Sequence, residues 1–222
     1  MARAAIFDVD GTLVDTVDLH ARAWVEAFAH FGLHPSFEAV RSQIGKGGDQ
    51  LMPVFASKAF IETQGKALED FRGELFQRDY MPKARAFPKV RALFERLRAD
   101  GVAIAVGSSC KGEELKRYTD LAHVTDLIDV AATSDDADKS KPSPEIFEAA
   151  VRKLQPIPPD GIVVVGDSPF DAKAAQRAGL RAIGLRCGGF PEERLREAGF
   201  LELYDDPAAL LARYDESLIA RA

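Results

Sequence analysis

The sequence predicts an α/β protein, with a parallel β-sheet covered by helices on both faces and a helical stretch inserted after the first strand. Three observations predict it. Short apolar runs are nearly continuous rather than alternating, as strands buried on both faces require. Helical stripes lie between those runs, which implies right-handed crossovers and a parallel sheet. Residues 14–85 hold helical stripes and no strand-like run.

The first strand is expected at Ala4–Phe7, ending in Asp8-Val9-Asp10-Gly11-Thr12. In the insertion, Trp24, Val25, Phe28 and Phe31 form one stripe, and Leu51, Val54 and Phe55 another. Between them Gly45-Lys46-Gly47-Gly48 reads as a turn or loop without the spacing of a nucleotide-binding P-loop. Val90, Leu93, Phe94 and Leu97 repeat at helical spacing and run into Gly101. A second strand at 102–106 ends in Gly107-Ser108-Ser109, and a third at 128–132 leads to Ser134-Asp135-Asp136 and Lys141-Pro142. The stripe Ile146, Phe147, Ala150, Val151 and Leu154 marks another helix, and Pro156-Ile157-Pro158-Pro159 breaks the chain before the next strand. That fourth strand, at 162–165, ends in Gly166-Asp167-Ser168-Pro169-Phe170-Asp171, and a weaker fifth follows at 182–185. Residues 1–13 and 86–222 are thus expected to form one core, and 14–85 a separate small helical domain.

Composition narrows the function. A chain of 222 residues, 46% hydrophobic, can bury a sizeable core. Its net charge of −6 disfavours a broad grip on nucleic acid or an anionic membrane, while leaving room for a local anion pocket. No run approaches the roughly 18 apolar residues of a membrane span. Asp8 and Asp10 interrupt the N-terminus before a signal-like run develops, so a cytoplasmic location is expected. The two cysteines, Cys110 and Cys187, cannot build a disulfide framework and read as small buried residues. No obligate protein partner is inferred.

The polar residues gather where strands end. In open α/β sheets, ligands bind at the carboxyl ends of the strands. Asp8, Asp10, Ser108, Ser109, Lys141, Asp167 and Asp171 are therefore expected along one edge. Clustered carboxylates call for a cation, and oxygen donors suit Mg²⁺. A lysine and hydroxyls facing the same point suit a phosphoryl group. Taken singly, these residues are turn acids, capping serines and a surface lysine. The argument rests on four pieces in order, each after a strand. Asp171 keeps two readings: a metal role, or the capping-box partner of Ser168 in a helix opened by Pro169. His30 and His34 have the spacing of a metal pair, but Gly32 and Pro35 break the helix there, and no zinc site is expected.

These motifs, Asp8-Val-Asp10-Gly-Thr-Leu, the Ser108 strand end, Lys141-Pro-Ser-Pro and Gly166-Asp167-Ser168-x-x-Asp171, resemble the haloacid dehalogenase superfamily in its phosphatase branch. Their order and spacing span nearly the whole chain. The resemblance implies a Rossmann-like core with an α-helical cap inserted after the first motif. It implies a Mg²⁺-dependent phosphatase acting on a small phosphorylated metabolite through an aspartyl-phosphate. Asp8 is then the nucleophile, and Asp10 the general acid and later base. Asp8, the Asp10 backbone carbonyl and Asp167 are the metal ligands, and Ser108, Ser109 and Lys141 bind the transferring oxygens. Ser109 stands where many members carry Asn.

In such a family the cap supplies selectivity, and Thr16, His20, Lys46 and Arg78 are the candidate cap contacts. Each also has an ordinary reading: Thr16 as a helix cap, His20 as packing beside Trp24, Lys46 as solvated. The segment from Asp15-Thr16 through His20 and Trp24 is also similar to β-phosphoglucomutase, a phosphomutase with the same core. That relative grips a second phosphate with an arginine in the loop matching Gly45–Gln50, where this chain offers Lys46 and glycines instead. A phosphomutase is therefore the alternative. A receiver domain is shorter and lacks the insertion. A silent paralogue would have lost one of Asp8, Asp10 and Asp167.

Overall fold

A computed structural model of the chain describes residues 2–221. Strand β1 (Ala4–Phe7) is buried at every position, because Ala-Ala-Ile-Phe presents apolar side chains to both faces. The helical stretch opens and closes on a small ribbon, β2 (Val14–Asp15) paired antiparallel with β3 (Arg85–Ala86). Between these lie α1 (Val17–His30), α2 (Phe37–Arg41), α3 (Gly48–Phe55) and α4 (Lys58–Leu75), the last running on into a π-helical turn at Phe76–Tyr80. The rest alternates: α5 (Val90–Ala99), β4 (Ala103–Gly107), α6 (Gly112–Leu121), β5 (Val130–Ala132), α7 (Glu145–Lys153), β6 (Ile162–Gly166), α8 (Pro169–Arg177), β7 (Arg181–Leu185), α9 (Glu192–Ala198) and β8 (Glu202–Tyr204). Short helices α10 (Pro207–Ala212) and α11 (Leu218–Arg221) end it.

Among the described residues, six strands form one parallel sheet in the order β5-β4-β1-β6-β7-β8. The chain winds outward through β4 and β5, then returns to the other side of β1 with β6. The winding direction therefore reverses between β1 and β6, which opens a crevice at their carboxyl ends. Register puts the key loops at one level: Phe7 pairs with both Val106 and Val165, so Asp8, Gly107 and Gly166 leave the sheet together.

Alternation in β1 divides the core. Ala5 and Phe7 join Phe94, Leu97, Val106 and Tyr118 on one face. Ala4 and Ile6 join Phe147, Val164, Phe170 and Leu195 on the other. The inserted helices have a core of their own around Trp24, Phe28, Val40, Leu51 and Leu68. No described helix is long and apolar enough to cross a membrane.

Several expectations need correction. Gly45–Gly48 is only partly a loop: Gly47 caps α3 and Gly48 starts it. Val54 is 49% exposed and sits outside the Leu51 stripe. The third strand starts at Val130 rather than 128. The edge strand β8 and the β2–β3 ribbon were not expected at all.

Candidate active site

Asp8 leaves β1 with its backbone N–H donated to the Val165 carbonyl (2.8 Å), which fixes it beside the end of β6. Its carboxylate meets Lys141, whose ammonium bridges Asp8 Oδ1 and Asp171 Oδ1, the latter at 2.8 Å. Lys141 is only 1% exposed. Thr12 Oγ1 donates to Asp167 Oδ1 at 3.1 Å and ties the first loop to the one after β6. Asp171 makes the capping box: its Oδ2 accepts from Ser168 N (3.0 Å) and Ser168 Oγ (2.6 Å). One carboxylate thus starts α8 with one oxygen and pairs with Lys141 through the other.

Carboxylate oxygens of Asp8, Asp167 and Asp171 all lie within 4.8 Å of one another, and all three residues are buried. Burial is the main effect on Asp8; Lys141 opposes it, Asp171 and Asp10 add to it, and the net result is a carboxyl pushed up to about 7. Burial, with the Asp171 and Asp8 charges, raises Asp167 well above its ordinary 3.8. Burial alone would lower Lys141, but the Asp171 and Asp8 carboxylates hold it above its usual value. Three buried acids around one lysine leave excess negative charge among oxygen donors, which suits a hard divalent cation. Glycines keep that space open. A Cβ at Gly188 would lie 1.7 Å from Asp167 Oδ2, and one at Gly11 (φ +78°) 2.4 Å from the same oxygen.

Asp10 has different surroundings. Its Oδ1 accepts from Thr16 Oγ1 at 2.6 Å and lies 2.9 Å from His20 Nε2. Burial would raise this carboxyl, but the His20 charge and the His20 and Thr16 hydrogen bonds outweigh it and bring it below 3.8. Thr16 occupies the N-cap position of α1 without capping it, because its hydroxyl is engaged by Asp10. His20 does pack, its ring stacked on Phe76 at 4.0 Å, and it also faces the acid.

Ser108 is buried, and its Oγ accepts from Cys110 N at 3.2 Å. Ser109 Oγ is buried with no hydrogen-bond partner and lines the same pocket as Asp8 and Asp10. Lys46 also lines it, donating to Gln43 Oε1 (2.6 Å) and lying 4.8 Å over the Phe170 ring; it is not simply solvated. Burial, with Lys173 nearby, lowers its ammonium below 10.5. Arg78 is a correction: the π-helical turn points it outward, where its guanidinium forks onto Asp79 at 2.8 Å, away from the pocket. His30 stacks on Phe71 at the end of α1. Burial, with Asp10 close by, pushes the Cys110 thiol far up, so it stays protonated.

Sequence reasoning missed Arg72 and Glu69 of α4 and Glu114 of α6, all of which line the pocket. Arg72 lies 5.0 Å over the Trp24 ring, and its buried Nε lacks a partner. Glu69 and Arg72 are among many charged residues of α4, and no local signal separates them from a solvated face. Two groups of hydrogen bonds hold the inserted helices over the acids. Arg41 donates to the Gly188 and Gly189 carbonyls (3.2 and 3.3 Å). Ser140, beside Lys141, accepts from Gly47 N (2.9 Å) and bonds Asp49.

Known proteins bear on this geometry. Residues 5–185 match the family model for haloacid dehalogenase-like hydrolases. A phosphoglycolate phosphatase of Yersinia pestis is 33% identical over 191 residues, covering 84% of this chain and 82% of that protein. A fructose-1-phosphate phosphatase of Escherichia coli is 28% identical, covering 82% of this chain and 95% of its own. The crystal structure of a hydrolase from Pseudomonas syringae superposes with a TM-score of 0.89 at 28% identity, over 96% of this chain and 98% of that one. With the acids at the β1–β6 crevice and this match across most of its length, the chain belongs to the haloacid dehalogenase-like hydrolases.

Proposed function

We propose that this chain is a Mg²⁺-dependent phosphatase that hydrolyses a small phosphorylated metabolite through an aspartyl-phosphate on Asp8. One observation carries the reading: two acids on one loop have opposite surroundings, Asp8 against Lys141 and Asp10 against Thr16 and His20. Paired carboxylates with divergent environments mark separate roles: a cation at the acid cluster would return Asp8 to its ionised form, and leaving Thr16 and His20 would let Asp10 take up a proton.

Asp8 Oδ attacks phosphorus as the ester P–O bond breaks; Asp10, which takes up a proton from solvent once it leaves the Thr16 and His20 contacts that hold it ionised, gives that proton to the leaving oxygen. Water then attacks the phosphoryl group, Asp10 takes the water's proton, and the bond between phosphorus and Asp8 breaks to release phosphate. Ser108 and Ser109 hydroxyls and the Lys141 ammonium hold the transferring oxygens. Asp8, the Asp10 carbonyl and Asp167 would hold Mg²⁺, which would supply positive charge favouring ionised Asp8 and offsetting charge on the phosphoryl oxygens. Thr16 and His20 keep Asp10 turned aside until it is needed. Residues 14–85 act as the cap, whose loop over the crevice excludes water.

Lys46 and Arg72 give the cap side of the pocket two cationic groups. They favour an ester with a second anionic or hydroxyl-rich end, such as the phosphoglycolate and fructose 1-phosphate of the relatives' names. The Arg72 guanidinium also supports a phosphomutase as a second reading, since it offers the second-phosphate contact that the Gly45–Gln50 loop lacks. The test is phosphate release from a panel of phosphomonoesters with and without Mg²⁺. Mg²⁺-dependent release, abolished in Asp8→Asn, is expected. A stable phospho-Asp8 formed from a sugar bisphosphate, without net release, favours the mutase.

A further inference from the structure

We propose that Tyr118, held by Glu114, is a positioning residue for the acid step: it takes over the His20 N–H when Asp10 turns toward the leaving group. This rests on the phosphatase reading above. His20 Nε2 faces two oxygens at once, Asp10 Oδ1 at 2.9 Å and the Tyr118 hydroxyl at 3.1 Å. One N–H cannot serve both equally, so Tyr118 is the partner in waiting. Its own hydrogen is committed elsewhere, donated to Glu114 Oε1 at 3.1 Å. That leaves the phenol oxygen free to accept from His20. Tyr118 is fully buried on α6, one turn from Glu114, and burial with the Asp10 and Glu114 charges keeps its hydroxyl protonated.

The consequence is energetic. Asp10 must leave Thr16 and His20 to reach a leaving oxygen. Without Tyr118, its departure strands a buried N–H, and an unsatisfied buried donor is costly. With Tyr118, the N–H shifts its hydrogen bond by a small movement while the ring stays clamped on Phe76. The Tyr118–Glu114 pair therefore raises the share of time that Asp10 points at substrate, without touching substrate itself.

The experiment compares kcat/KM, which reports steps through the first P–O cleavage, on two esters. One is p-nitrophenyl phosphate, whose leaving group needs no proton. The other is the best alkyl phosphate of the panel, whose leaving group does. Tyr118→Phe keeps the ring and removes the acceptor. It is expected to lose about tenfold on the alkyl ester and under about threefold on the aryl ester, a part of the roughly 10²–10⁴-fold that a general acid supplies. Glu114→Ala, which releases the tyrosine hydrogen, should show the same ester-selective loss. Equal losses on both esters, or none on either, overturn the proposal. Failure of the wild-type chain to hydrolyse either ester with Mg²⁺, or full activity in Asp8→Asn, overturns the phosphatase reading, and the proposal with it.

Discussion

At the scale of single residues, the buried acid cluster shows how burial and neighbours set charge. Asp167 lies among Asp8 and Asp171 with one lysine nearby, and its carboxyl is raised well above 3.8. A raised carboxyl binds its proton more tightly in the folded state than in the unfolded one. Without metal, Asp167 therefore reduces stability progressively as pH rises above its unfolded value near 3.8. Metal-free Asp167→Asn should melt higher than the wild type at pH 7.5, because it removes a buried carboxyl whose ionised form the fold disfavours. The gain should shrink as pH falls and vanish below about pH 3, where the acid is protonated in both states. Mg²⁺ should raise the melting temperature of the wild type and not of the variant. Thermal unfolding at two pH values, with and without Mg²⁺, checks all three. The shared placement of Asp8, Asp10, Ser108 and Asp167 was legible in the sequence because each follows a buried strand, β1, β4 or β6; Lys141 reaches Asp8 from farther along the chain, after the short strand β5. Tyr118 and Glu114 were not: Tyr118 reads as a core position of an amphipathic helix and Glu114 as its solvated face. Only the approach of His20, nearly a hundred positions away, gives them a role.

Among elements, α8 ties structure to chemistry. Ser168 caps it, Pro169 fits its first turn, and Asp171 closes the box while pairing with Lys141. Both sequence readings of Asp171 meet here, for it caps the helix and stands in the acid cluster. Ser168→Ala removes the hydroxyl that accepts from Asp171 N and donates to its carboxylate. It should cost about 1–2 kcal/mol in urea unfolding, the usual range for an N-cap, and it should also lower kcat by freeing Asp171 to draw on Lys141. Strands buried on both faces were legible for a plain reason: β1, β4 and β6 are nearly continuous apolar runs. Strand β8 was not, because a three-residue edge strand beginning with Glu202 carries too little pattern to stand out from its surroundings. The two-residue strands of the ribbon are shorter still.

Over the whole molecule, the pocket exists only because two bodies of side chains meet. The inserted helices bring Lys46, Glu69 and Arg72; the sheet brings Asp8, Ser108 and Ser109. Arg41 and Asp49 fasten the two, through the Gly188 and Gly189 carbonyls and through Ser140. Paired replacement, Arg41→Ala with Asp49→Ala, should loosen this closure. Its expected signature is a KM raised about threefold to tenfold, since each lost contact to a carbonyl or hydroxyl contributes on the order of 1 kcal/mol, with the melting temperature nearly unchanged. Steady-state kinetics beside a thermal melt checks it. These fastenings were invisible in the sequence because they join loops far apart along the chain.

The ribbon at Val14–Asp15 and Arg85–Ala86 has a consequence for how such a chain can change. The helices depart and return through two strands lying side by side, with Val14 opposite Ala86. The sheet is therefore indifferent to how much polypeptide lies between them. A tight turn there would close the same gap, and so would a different set of helices. If the inserted helices select the substrate, as proposed above, they are mounted like an interchangeable head on a fixed handle: the phosphoryl chemistry can stay constant while the molecules admitted to it are exchanged.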